Sequence, residues 1–112
     1  MTSPPAARRF ERLPRATVGE LEVPVATGLL ARFLGLAHLE REEAGAGLLV
    51  PRCRSVHTFG MRFALDLVFL DEALSPIEVR PGVPPRRVAR ARRAAMVLEL
   101  PAMSVKRRAG RG

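Results

Sequence analysis

The clearest strand pattern of the chain, Phe63-Ala64-Leu65-Asp66-Leu67-Val68-Phe69-Leu70, is apolar but for one carboxylate and is closed by Asp71. A nearly all-apolar run of this length reads as a central strand covered on both faces. Ile77-Glu78-Val79-Arg80 then alternates apolar and polar, as a returning partner does, so a hairpin is expected around residues 71–76. Shorter strands are expected at 17–23, ended by Pro24, at 47–50, ended by Pro51, and at 94–100, ended by Pro101. Leu29, Leu30, Phe33, Leu34 and Ala37 recur at three and four residues, which is the stripe of a helix facing a core. Thr27 stands where a cap belongs, and Gly35 where a helix ends.

These elements predict a mainly β fold with one helix (α+β). The expected architecture is a compact, partly closed β-sandwich or barrel of five to seven short strands. Residues 1–16, with Pro4, Pro5 and Pro14, read as a flexible N-terminal tail. Residues 17–102 read as the single domain and 103–112 as a basic C-terminal tail. The total of 112 residues fits one domain.

Composition narrows the chemistry. Aromatics are 4%, all Phe, so the core must be mostly Leu, Val and Ala, and few rings are left for bases or sugars to stack on. The net charge is +8, and of the 19 basic residues only Lys106 is not Arg. An excess of this kind favours anionic partners, or is merely a solvated surface. The densest run gives a possible anion patch of Arg86, Arg87, Arg90, Arg92 and Arg93. Cys53 is the only cysteine, which excludes an intramolecular disulfide and a four-cysteine zinc site. No apolar run reaches membrane-spanning length, so no membrane partner is expected and the default address is the cytoplasm. Phosphate-loop, dinucleotide and nucleophile-elbow motifs are absent.

Ser55-Val56-His57-Thr58-Phe59-Gly60-Met61-Arg62, running into the Asp66 strand, resembles the signature of the domain-of-unknown-function 192 family. Arg32-Phe33-Leu34-Gly35-Leu36 and Ala94-Ala95-Met96-Val97-Leu98-Glu99-Leu100-Pro101 are similar to it in the same order. The likeness runs from about residue 17 to residue 102, as a His-Thr-Phe-Gly-Met variant. It implies a compact β-barrel or sandwich of mixed strands with a small helical insertion, and no settled reaction. The family's usual Gly in the turn after the Asp strand is replaced here by Glu72-Ala73-Leu74, and Met103 stands where a Gly usually follows the last strand.

The polar residues set among apolar ones are Arg32, Cys53, His57, Thr58, Asp66, Asp71 and Glu99. A carboxylate buried in a strand costs several kcal/mol unless it is paired or hydrogen-bonded. Asp66 is therefore expected to accept N–H groups of the 57–61 loop, or to pair with Arg32 or Arg62. Arg32, Cys53, His57, Thr58 and Asp66 form the candidate ligand-site or structural cluster. Three readings stay open. The first is a non-enzymatic binding or accessory module with a site at loop 53–62, facing an unknown small ligand or protein partner. The second is a small hydrolytic or metal-assisted enzyme using Cys53, His57 and Asp66. In a strand, however, residues four apart lie about 13 Å from each other, so Cys53 and His57 meet only if the chain turns between them. The third is weak, sequence-tolerant nucleic-acid binding through the arginines. The first is preferred, with no cofactor and no resident metal expected. Oligomeric state is not legible.

Overall fold

The structure, a computed structural model, describes residues 9–102. The basic tail expected at 103–112 and the first eight residues of the expected N-terminal tail lie outside that range. Eight short strands and one helix follow in order: β1 (Arg15–Val18), β2 (Leu21–Pro24), α1 (Leu29–Leu34), a 3₁₀ turn (Arg41–Ala44), β3 (Leu48–Pro51), β4 (Ser55–His57), β5 (Leu65–Leu70), β6 (Pro76–Val83), β7 (Val88–Arg90) and β8 (Met96–Pro101). The domain is mainly β, and its three sheets do not close into a barrel. No helix among the described residues is long and apolar enough to cross a membrane.

The centre is a four-stranded antiparallel sheet in the order β3-β8-β5-β6. Its two inner strands are the two most apolar stretches of the sequence, as the need to cover both faces demands. Strand alternation sends Leu65, Leu67 and Phe69 of β5, Leu48 and Val50 of β3, and Val97 of β8 to one face. Val68 and Leu70 of β5, Leu49 of β3 and Leu98 of β8 go to the other. The β1–β2 hairpin covers this second face through Val18 and Val23. The first face is covered by the segment after α1, the 3₁₀ turn and a two-stranded sheet of β4 and β7. Phe10 joins that core and β1 starts at Arg15, so the fold begins upstream of residue 17.

The β5–β6 hairpin lies where the alternation places it. Asp71 Oδ1 accepts the backbone N–H groups of Ala73 at 2.9 Å and Ser75 at 3.0 Å, which makes the turn. Without a glycine there, Leu74 itself takes the left-handed conformation, at φ 67°.

The helix departs from its expectation. Leu29, Leu30 and Phe33 are 87%, 69% and 71% exposed, and no residue of α1 is buried. Thr27 does not cap it, since Gly28 is the N-cap and no side chain bonds there. Six residues make less than two turns, too little length to lay a stripe on a sheet. Gly35 then turns the chain at φ 53°, so that Leu36, Ala37 and Leu39 enter the core in place of the helix stripe.

Candidate functional site

The carboxylate that is buried without a charged partner is Glu99, not Asp66. Glu99 lies on inner strand β8 opposite Leu48 of β3 and Leu67 of β5, on the face that carries Val97, and is 6% exposed. Its carboxylate accepts the backbone N–H of Leu36, which the turn at Gly35 delivers. The approach is close: a Cβ on residue 35 would stand 2.8 Å from Glu99 Oε1. Burial raises the Glu99 pKa to about 7, and the Leu36 hydrogen bond offsets only part of that rise.

Glu99 helps to line a cavity of about 170 Å³ between α1 and β4. Phe33, Leu36, Val56 and Met61 supply apolar wall, and Cys53 and His57 stand beside them. Arg32 is at the rim, because it also borders the open groove next to the cavity. Two of its five N–H donors are spent holding α1 to the end of β3, on the carbonyls of Pro51 and, at 3.1 Å, Arg52. Arg32 thus spends these donors on backbone oxygens rather than on a pairing with Asp66. The Cys53 Sγ–H donates to the Ser55 carbonyl at 3.3 Å. Burial pushes its pKa up, with the Ser55 backbone and nearby Arg32 pulling the other way, so the thiol form is favoured. His57 is exposed, its ring 6.1 Å edge-on from Phe33 and 5.8 Å from Phe59.

The structure therefore brings Arg32, Cys53 and His57 to one cavity and leaves out Thr58 and Asp66. Thr58 is fully buried as a fastener: its hydroxyl donates to Pro84 O at 2.7 Å and accepts from Arg87 N at 2.8 Å. Asp66 is half-buried on the opposite face of the sheet, near Leu21 and Arg41. Its Oδ1 accepts from Gly82 N at 2.7 Å, at the irregularity where β5 and β6 slip register. Neither Arg32, Arg62 nor the 57–61 loop is its partner. Arg62 instead pairs with Glu40. A triad of Cys53, His57 and Asp66 is not assembled, and no three His, Cys, Asp or Glu side chains among the described residues gather around one point.

The arginines divide. β4 and β7 are antiparallel, with Ser55 opposite Arg90, and Ala91 N donates to Arg54 O at 2.9 Å. This pairing sets Arg90 and Arg92 beside Arg52, Arg54 and Arg32 along a groove of about 870 Å³. Arg93 is not in that groove; it borders a neighbouring pocket with Asp71 and Glu78, which Arg90 and Arg92 also line. Arg86 and Arg87 belong to the connection fastened by Thr58.

The sequence profile of the DUF192 family, described as "Uncharacterized ACR", matches residues 12–109. The chain belongs to the DUF192 family. Two solved structures share its fold. A protein of Sinorhizobium meliloti, provisionally called a transcription regulator, is 23% identical over 85% of this chain and 83% of its own, with a TM-score of 0.65. A protein of unknown function from Novosphingobium aromaticivorans is 17% identical over 98% of this chain and 94% of its own, with a TM-score of 0.58. At such identities the likeness concerns fold, and function must be argued from the site. No curated protein matches this DUF192 chain.

Proposed function

We propose that this DUF192 domain is a non-enzymatic binding module. Its site is the cavity between α1 and β4, and its ligand is a small organic acid with an apolar body. The observation that carries the reading is a buried carboxyl without a charged partner, Glu99, facing a mainly apolar cavity that also holds Cys53, Ser55 and His57 and whose rim holds a guanidinium. Pockets that bind small molecules have this make-up: apolar walls with a few fixed polar groups. The ligand's apolar body would lie against Phe33, Val56 and Met61. Its carboxylate would take the remaining N–H donors of Arg32, and Glu99 in its protonated form would donate to a heteroatom. At about 170 Å³ the cavity is below the usual drug-sized range, which favours a ligand of few atoms.

Catalysis is the weaker reading. The Cys53 thiol is held protonated and turned to Ser55 O, and Asp66 is across the sheet.

Benzoate is a suitable probe, small enough to enter and carrying the required carboxylate. In ¹⁵N-labelled protein, millimolar benzoate is expected to shift the amides of Leu36, Cys53, His57 and Glu99 saturably. Val56→Phe, which fills the cavity, should abolish the shifts while the rest of the spectrum is kept. Shifts elsewhere only, or none that saturate, would refute the site.

A further inference from the structure

We infer that the arginine groove beside the cavity, together with the rings of Phe33, His57 and Phe59, binds single-stranded nucleic acid. Arg52 and Arg54 lie just before and at the edge of β4, and Arg90 and Arg92 at and after the end of β7. Two basic runs far apart in sequence therefore meet only through the β4–β7 ladder. The groove has no carboxylate in its lining. Among the described residues the ion pairs engage Arg15, Arg62 and Arg80 and none of the five groove arginines, although Arg90 and Arg92 also border a neighbouring pocket that holds Asp71 and Glu78. Arg52, Arg54, Arg90 and Arg92 are exposed as well. Cations held in a row without counter-charges are a track for a phosphate backbone, whose condensed counterions they displace.

The rings decide which polyanion. A chain with only five Phe would be expected to bury them all, yet Phe33 is 71% and Phe59 52% exposed. They flank His57, whose ring is within contact of each of them. The groove and the cavity share Arg32, Cys53 and Ser55, so Phe33 and His57, which line the cavity, stand next to the cationic track, with Phe59 behind His57. Exposed aromatic side chains beside a basic groove are the stacking platform of single-strand binders, because unpaired bases of any kind offer a face to stack. A duplex keeps its bases stacked inside and has no use for the rings. A bare polyanion would use the arginines and leave the rings idle. The inference does not depend on the cavity over Glu99 being occupied.

The test is fluorescence anisotropy of the full chain with a labelled 12-nucleotide oligouridylate at 50 and 200 mM salt. With five phosphates neutralised, affinity should fall about 100-fold across that range, at about 0.7 log units of slope per contact. Arg52→Gln with Arg92→Gln should lower the slope by about 1.4 units. Phe33→Ala, a change at an exposed side chain, should weaken binding about tenfold at both salts and leave the slope alone. Glu99→Gln should not alter binding, which separates this site from the cavity. Any of three results overturns the inference: no binding at 50 mM salt, inorganic polyphosphate or duplex RNA of equal length binding as well as the oligouridylate, or Phe33→Ala binding like the native chain. Thermal melting of each variant shows that the fold is kept.

Discussion

Glu99→Gln is expected to leave a protein whose stability no longer falls as pH rises from 4.5 to 7, and which is more stable than the native chain by about 3 kcal/mol at pH 8. The carboxyl titrates near 4.5 in the unfolded chain and at about 7 when folded. Between those values the folded state holds a proton that the unfolded state has released. Stability therefore declines with rising pH across this window, is complete below it, and is flat above it. One pKa unit corresponds to about 1.4 kcal/mol, so the full loss is about 3 kcal/mol. A glutamine carries no charge to desolvate, and its oxygen still accepts the Leu36 N–H. Urea unfolding of both proteins at pH 4, 6 and 8 checks this, with the other titrating groups cancelling in the difference. Parallel curves for the two proteins, or a variant less stable at pH 8, would show that Glu99 is not buried as an isolated carboxyl.

The second large effect is at Gly47, which leads into β3. It holds φ 138°, and a Cβ there would stand 2.5 Å from the Glu99 carbonyl oxygen and 2.7 Å from Leu100 Cδ2. That carbonyl cannot retreat, because its residue is paired with Leu48 on one side and Leu67 on the other. Backbone strain of about 1–3 kcal/mol and overpacking of about 1–3 kcal/mol then act together. Gly47→Ala should lose about 4 kcal/mol, a large share of the total stability of a domain this size. Gly28 provides the contrast, with open space around its Cβ position and φ −94°. Gly28→Ala should cost no more than about 1 kcal/mol, the loss of a tolerable N-cap. Denaturant midpoints of the two variants make the comparison, and equal small losses would contradict the packing described around β8.

These two glycine and glutamate positions also mark where sequence reasoning ends. The β5–β6 hairpin was legible because an apolar run, an alternating run and an aspartate turn coincide on neighbouring residues. The family was legible for the same reason, from three local motifs in order. The identity of the buried carboxylate was not. Asp66 and Glu99 each interrupt an apolar strand, and their surroundings in sequence are alike. What separates them is the face each occupies and what covers it. Asp66 finds the Gly82 N–H left over by an irregular pairing, whereas Glu99 meets only the Leu36 N–H. The stripe of Leu29, Leu30 and Phe33 misled, since helical periodicity records which residues share a side and not whether anything packs there. Gly35 ends α1 too soon for the stripe to be used.

The arginine groove was the least legible feature. Arg52 and Arg54 read as neighbours of a cysteine, and Arg90 and Arg92 as part of a solvated run. Only the pairing of two three-residue strands, too short to announce themselves, joins them. Cys53 and His57 do share a cavity, but the cysteine's hydrogen goes to Ser55 and the histidine's ring to two phenylalanines.

Glu99, wedged between Leu48 and Leu67, holds its proton well above the ordinary carboxylate range. Carbon-13 NMR of glutamate-labelled protein reads that proton directly, with the Glu99 signal assigned from Glu99→Gln. A titration midpoint near 7 is the predicted result; a midpoint at the ordinary 4.5 would mean that the carboxyl is solvated and would contradict its burial beneath α1 and β4.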